Sequence, residues 1–304
     1  MVGLTVLTIF FTALLVFDRA QPQAGAWALV GLSLTVGFAH GALDAAILQR
    51  RFSDRMRLFM WLGAYLVAVL FLGWWLSSAV NVALWLLIVM SAWHFGEPYG
   101  RWSSLSPWSS NMTRIVVGGA PIMLPVWLVP AELAQTLAPV VDALAIQVWR
   151  VLAAVWLVLV VIWVPVCGLR RPHAAKYAWA ELLGCVVAYL VFSPLMAFAI
   201  YFGAYHAPVH IWRVRRGWMA AANAPVLKPA VVAAGLLATL CATWLLSAGL
   251  WWLLSPDFYA LPEPAAALRW LIVALAAVTA PHLVLISASS TFFAAHSPFE
   301  NRYK

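Results

Sequence analysis

Residues 178–212 read AWAELLGCVVAYLVFSPLMAFAIYFGAYHAPVHIW, an apolar run with no basic residue and a single acidic one. An α-helix needs roughly 20 residues to cross the hydrocarbon core, so this run is about twice one crossing. Proline disfavours helical backbone at the residue before it. The Ser193-Pro194 step at the middle of the run therefore predicts two helices joined by a tight turn.

The rest of the chain repeats the pattern. Hydrophobic residues make up 65% of the 304 and charged residues 9%, with a mean hydropathy of +0.93, far outside the soluble globular range. Apolar runs fall at 2–17, 24–48, 58–76, 79–96, 115–129, 148–167, 178–193, 194–212, 230–254 and 268–288. The expectation is an all-α, polytopic transmembrane bundle of about ten helices (range eight to ten), forming a single integral-membrane catalytic domain over 1–304. The stretch 2–17 lacks a basic leader and a small-residue cleavage site, so it is expected to be a first membrane helix. Pro121 and Pro125 are expected to break the short run 115–129, and 130–147 to be an interfacial amphipathic segment.

Charge tests the split at 193. With ten spans and the N-terminus inside, Arg50, Arg51, Arg55, Arg57, Arg101, Arg114, Arg170, Arg171, Lys176, Arg213, Arg215, Arg216, Lys228, Arg302 and Lys304 face the cytoplasm. Arg19, Arg150 and Arg269 remain outside. This obeys the positive-inside rule, whereas one span over 178–212 would put the Arg213–Lys228 cluster on the wrong side. Both termini are then cytoplasmic, and the expected location is the cell (inner) membrane, multi-pass. Because the basic residues fall in short clusters between apolar runs, the net charge of +8 points to such loops and not to nucleic acid. The nineteen Trp suit an interfacial belt and the lining of apolar cavities. Cys167, Cys185 and Cys241 form no CxxC pair and read as buried thiols.

Five of the seven histidines lie within apolar spans: His40 in VGFAHGALDAAIL, His94 in MSAWHFGEPYG, His206 and His210 in YFGAYHAPVHIW, and His282 in TAPHLVLI. The spans concerned all run from outside to inside, and each histidine lies in the last third or half, so the imidazoles should meet at one level near the cytoplasmic side. Ionisable groups are costly in lipid and normally face the bundle interior at a functional site. His206 and His210 stand at i and i+4, on one helix face, where both can hold one ion, and Pro208 between them should kink the helix. Imidazoles suit Fe, Zn, Cu or Ni and not Mg or Ca. Asp44 lies four residues after His40 and Glu97 three after His94, each on its histidine's face. They are expected to accept the second ring N–H of the ligands. His282 is expected either to pack by hydrogen bonding or to join the ligands. His173 and His296 read as solvated surface.

HGALD, SAWHFGE, YFGAYHAPVH and APHLVLI resemble, in order and over most of the chain, the motifs of the Brp/Blh family of β-carotene 15,15'-dioxygenases. The resemblance implies a non-haem Fe(2+) enzyme that uses O2 to split β-carotene at its central double bond into two all-trans-retinal molecules. It assigns iron ligation to His40, His94, His206 and His210, and a retinal-binding protein is a natural acceptor for the product. Trp93, Phe95, Tyr201, Phe202, Tyr205 and Trp212 flank the histidines and are expected to line a substrate slot. The chain departs from the family pattern at Ala207, where serine is common, and after HFGE, where Pro98, Tyr99 and Gly100 stand in place of an acidic residue. Neither change touches a proposed ligand; both touch residues that shape a tunnel.

Three other chemistries fit less well. A transporter or proton/metal-coupled carrier using intramembrane His, Asp and Glu needs a polar path across the bilayer, yet spans one, three, six, seven and nine are read as almost devoid of polar residues. A b-type cytochrome needs histidines on facing helices, and a histidine-box di-iron enzyme needs more than five ligands. Depth gives one more expectation. A C40 polyene is about as long as the roughly 30 Å core, whereas the histidines sit near the charged boundary. A centrally cut substrate should therefore lie steeply tilted or nearly in the membrane plane.

Overall fold

The structure, a computed structural model, describes residues 2–21, 23–37, 44, 47–48, 54–99, 106–169, 172–220, 249 and 265–288. All regular structure among them is helical. The expected span 230–254 and His40 lie outside the described residues, apart from Gly249.

Three of the helices begin on a side-chain cap. Following α1 (Val2–Ala20) and α2 (Ala24–Leu32), which widens into a π-helical turn, π1 (Ser33–Gly37), comes α3 (Arg55–Ser77). The Asp54 carboxylate accepts the Met56 N–H at 2.9 Å and starts α3, satisfying a backbone donor that the first turn leaves open. After α4 (Val80–Phe95), Ser106 caps α5 (Pro107–Leu128) and Asp142 caps α7 (Ala143–Trp163) in the same way. The short α6 (Pro130–Leu137) lies between them, and π2 (Val164–Gly168) extends α7. Then come α8 (Pro172–Val191), α9 (Pro194–Ala199), π3 (Ile200–His206), α10 (Ala207–Ala220) and α11 (Ala265–Ala288).

Ser193 leaves the helical path and Pro194 opens α9, so the run 178–212 divides where the proline rule puts it. The fifth run differs from expectation. Helix α5 passes through Pro121 and Pro125 unbroken, and the chain bends by 99° only where α5 meets α6. Neighbouring helices can absorb the backbone groups that proline frees inside a buried helix: the Tyr189 hydroxyl donates to the Pro121 carbonyl. The segment 130–147 is likewise two elements. Helix α6 buries Leu133 and Leu137, and Asp142 starts α7 five residues before the expected boundary.

By length and apolar composition, Arg55–Ser77, Ala143–Gly168 and Ala265–Ser287 can each cross a membrane among the described residues, and α5 with α6 would make a fourth. Their surroundings differ. Helix α3 presents Phe59, Met60, Trp61, Phe71 and Trp74 outward, while α11 is buried all round over Ala265–Ala277 except Arg269. A helix apolar on every side belongs in a bundle centre, and α11 packs there against α4 and α3.

Hydrogen bonds sort the helix ends into two sets. Arg269 at the start of α11 donates to the Ser77 carbonyl at the end of α3 (3.1 Å). Asn81, starting α4, donates to Asp142, starting α7 (2.6 Å). The Ser193 N–H and hydroxyl donate to Asp18 at the end of α1 (2.7 and 2.6 Å). At the opposite end, Arg114 near the start of α5 donates to the Trp93 carbonyl (2.8 Å), and the Trp179 indole to Gly168 (3.4 Å). These pairings are those of an antiparallel alternation with a reversal at 193.

Candidate metal centre

Four buried imidazoles meet at the second end of the bundle. His94 comes from the last turn of α4, His206 closes π3, His210 lies in α10 and His282 near the end of α11. Ring centroids stand 4.8 Å apart for His94–His282, 5.1 Å for His94–His206, 5.6 Å for His94–His210 and for His210–His282, and 6.2 Å for His206–His210. The Nε2 atoms of all four are sealed from solvent.

Metal–nitrogen bonds of about 2 Å place ring centroids about 3.2 Å from an ion, hence roughly 4.5 Å apart for ligands at right angles and about 6.4 Å apart for opposed ones. The observed separations fall between these limits. Among the described residues, however, no three His, Cys, Asp or Glu side chains stand in finished metal-holding geometry; His94 instead meets His206 and His282 edge to face. The fit to a metal thus lies in the donor set, its burial and its ring spacing.

Asp44 has a different partner from the one its spacing suggests. Its carboxylate takes the Nδ1–H of His282, with Nδ1 at 2.8 and 2.9 Å from the two oxygens, and the Tyr65 hydroxyl at 2.8 Å. In a neutral ring that donates from Nδ1, the lone pair is on Nε2. Glu97 is half-buried and close enough to act electrostatically on His282 and Arg213.

The flanking aromatics divide into two groups. Phe95 packs on His206 (4.4 Å) and meets Tyr201 (5.3 Å) and Phe202 (6.2 Å), so these three wall the centre. Trp93 turns away and stacks under the Arg114 guanidinium at 3.8 Å. Tyr205 and Trp212 are 41% and 46% exposed. Tracking by sequence proximity could not separate these groups, because neighbours on a helix point in different directions.

Glu181 has no place in the sequence reading, which takes the seventh span as nearly free of polar residues. It is buried in α8 and accepts the hydroxyls of Tyr99, of Tyr201 (2.7 Å) and of Tyr205 (2.9 Å). Burial, reinforced by the Glu181 charge, holds the Tyr99 phenol above its ordinary pKa and keeps it a donor. The signal was present: a lone carboxylate in a lipid span marks a functional site as much as a histidine does.

An apolar chamber lies further along the bundle, lined among others by Leu84, Ile88, Pro121, Phe198, Leu271 and Leu275. Phe198 connects it to the centre by packing on Phe95 (6.3 Å) and Phe202 (6.0 Å). At about 1.5 Å per residue, Leu275 lies roughly 10 Å along α11 from His282. The chamber is therefore offset from the centre along the helix axes. It lies beside Pro121, Pro125 and Pro194.

Compared with known families, the chain matches the one described as Beta-carotene 15,15'-dioxygenase over residues 3–289. It is 29% identical over 274 residues to a protein of an uncultured marine bacterium, 66A03, named Beta-carotene 15,15'-dioxygenase, covering 86% of this chain and 92% of that one. No solved structure matches it.

Proposed function

The chain belongs to the β-carotene 15,15'-dioxygenase family, and from that premise we propose that it cleaves β-carotene at the 15,15' double bond with O2, giving two all-trans-retinal. The observation that carries this reading is the set of four buried imidazoles at separations suited to one ion. His40, His94, His206 and His210 would hold Fe(II), with His282 as a further ligand. When bound, the iron would supply the Lewis-acid and redox chemistry that O2 requires.

The chain's own residues prepare that site. Imidazoles add no negative charge, so an ion among them would keep its full positive charge. Asp44 holds the His282 ring through Nδ1 and so orients it, the usual arrangement behind a ligating histidine. Phe95, Tyr201 and Phe202 exclude water from one side. The chamber beyond Phe198 would take one arm of the polyene, which has no polar group to satisfy and needs only apolar walls. Residues 1–304 would act as one catalytic domain with ten crossings of the cell membrane and both termini cytoplasmic. A retinal-binding protein would accept the product.

Iron analysis of purified protein tests the ligand set. Each of H40A, H94A, H206A and H210A should lose iron and activity together. Wild-type iron content in folded H206A protein would overturn the assignment.

A further inference from the structure

Helix α8 carries none of the proposed ligands, yet its buried Glu181 is bonded to two of the chain segments that deliver them. Tyr99 stands in the turn that follows His94 at the end of α4, and its hydroxyl donates to Glu181 Oε2. Tyr201 and Tyr205 belong to π3, which ends in His206; they donate to Oε1 at 2.7 Å and Oε2 at 2.9 Å. One carboxylate thus joins the end of α4 to π3.

The π-helical turn gives this bridge its reach. At about 100° per residue, Tyr201 and His206 in an α-helix would point about 140° apart. The wider i→i+5 turn brings them together, and their rings stack at 6.2 Å with planes 22° apart. Holding the Tyr201 hydroxyl therefore holds the ring that backs His206. Phe95, the neighbour of His94, closes the same layer by packing on both Tyr201 and His206. A carboxyl group within a lipid span is retained where its donors and its task justify its burial; here all three phenol donors lead to the histidine centre.

We propose that Glu181 is a positioning residue for that centre: by binding Tyr99, Tyr201 and Tyr205 it locks the end of α4 to π3 and sets the separation of the His94 and His206 imidazoles. The proposal rests on the reading of these histidines as metal ligands.

Co(II) titration of the full chain in lipid nanodiscs tests it, because the visible cobalt spectrum reports coordination geometry independently of turnover. E181Q should weaken cobalt binding about 10–100-fold, the usual loss when support behind a ligand is removed, and change the band shape. The double variant Y99F/Y205F keeps the carboxylate but cuts two of its three bonds, and should change the band shape in the same sense. Y189F, on the same helix but bonded to the Pro121 carbonyl, should leave spectrum and affinity as in the wild type. Wild-type spectrum and affinity in E181Q, even with a lowered melting temperature, would overturn the proposal. Should E181Q not fold, the same result in Y99F/Y205F would do so. Failure of the wild-type protein to bind cobalt or iron would instead overturn the metal reading, and the positioning role with it.

Discussion

Asp44 lies between Tyr65 and His282, and what it does follows from being acceptor-only when ionised. It holds the Nδ1 side of the His282 ring, and in a neutral ring the lone pair is then on Nε2. D44N offers an amide that can present its donor side to the ring, so iron affinity should fall about 10–100-fold. Y65F removes only one bond to the carboxylate and should cost less. Metal titration of the two variants checks the order; equal affinity for D44N and wild type would contradict it. In the chamber, L271W should fill the space proposed for the polyene and lower kcat/KM for β-carotene roughly tenfold, with iron content unchanged. Iron loss in L271W would mean that the chamber supports the centre and does not house substrate. At this scale the histidines were legible because an imidazole in lipid is expensive enough to need a purpose. The bond from Asp44 to His282 was not, since it joins positions 238 residues apart and local spacing favours His40. Glu181 was open to the same argument as the histidines, but its tyrosines become partners only when α4, α8 and π3 meet.

Pro208 lacks a backbone donor, and its ring crowds the carbonyl four residues earlier. The helix answers with the wide turn of π3 directly before it, one of the recognised causes of a bend and a frequent feature of functional sites. The sequence shows that something must give near Pro208; which turn gives way depends on packing. The break at Ser193-Pro194 was legible for the complementary reason, since proline at a first helical position needs no partner, and Asp18 takes the Ser193 N–H that remains. Pro121 and Pro125 carry the same local signal but sit among helices that keep α5 whole. Close approach of α4 and α5 is a further consequence that composition alone does not reveal. A Cβ at Gly96 would overlap the Arg114 carbonyl, whereas one at Gly63 would meet open space. G96V should therefore cost more than the ~1–3 kcal/mol of ordinary overpacking and abolish the folded protein. G63A should be neutral or stabilising by up to about 1 kcal/mol. Thermal unfolding in detergent separates the two, and a stable G96V would refute the contact.

The two sets of helix ends make a statement about the whole molecule. Asp18, Ser77, Asn81, Asp142, Ser193 and Arg269 pair with one another at one end, while Trp93, Arg114, Gly168 and Trp179 pair at the other. Among the described residues, Arg55, Arg57, Arg114, Lys176 and Arg213, assigned to the cytoplasm by charge counting, lie on the segments at the second end, the end of the histidines. Single cysteines at Arg55, Arg171 and Arg216 should accordingly react with a membrane-impermeant probe only from the cytoplasmic side. Labelling at position 216 from the periplasm would remove the reversal at 193 and the shared depth of the histidines. The alternation of helices was legible because lipid imposes helical backbone; the chamber was not, since cavities arise from how finished helices fail to fill space. The most direct measurement is pigment analysis of a bacterial host that accumulates β-carotene and expresses this chain. Loss of colour with the appearance of retinal, abolished by H206A expressed to the same level, is the expected result. Unchanged carotene in cells where the wild-type protein is folded in the membrane and loaded with iron would contradict the proposed activity.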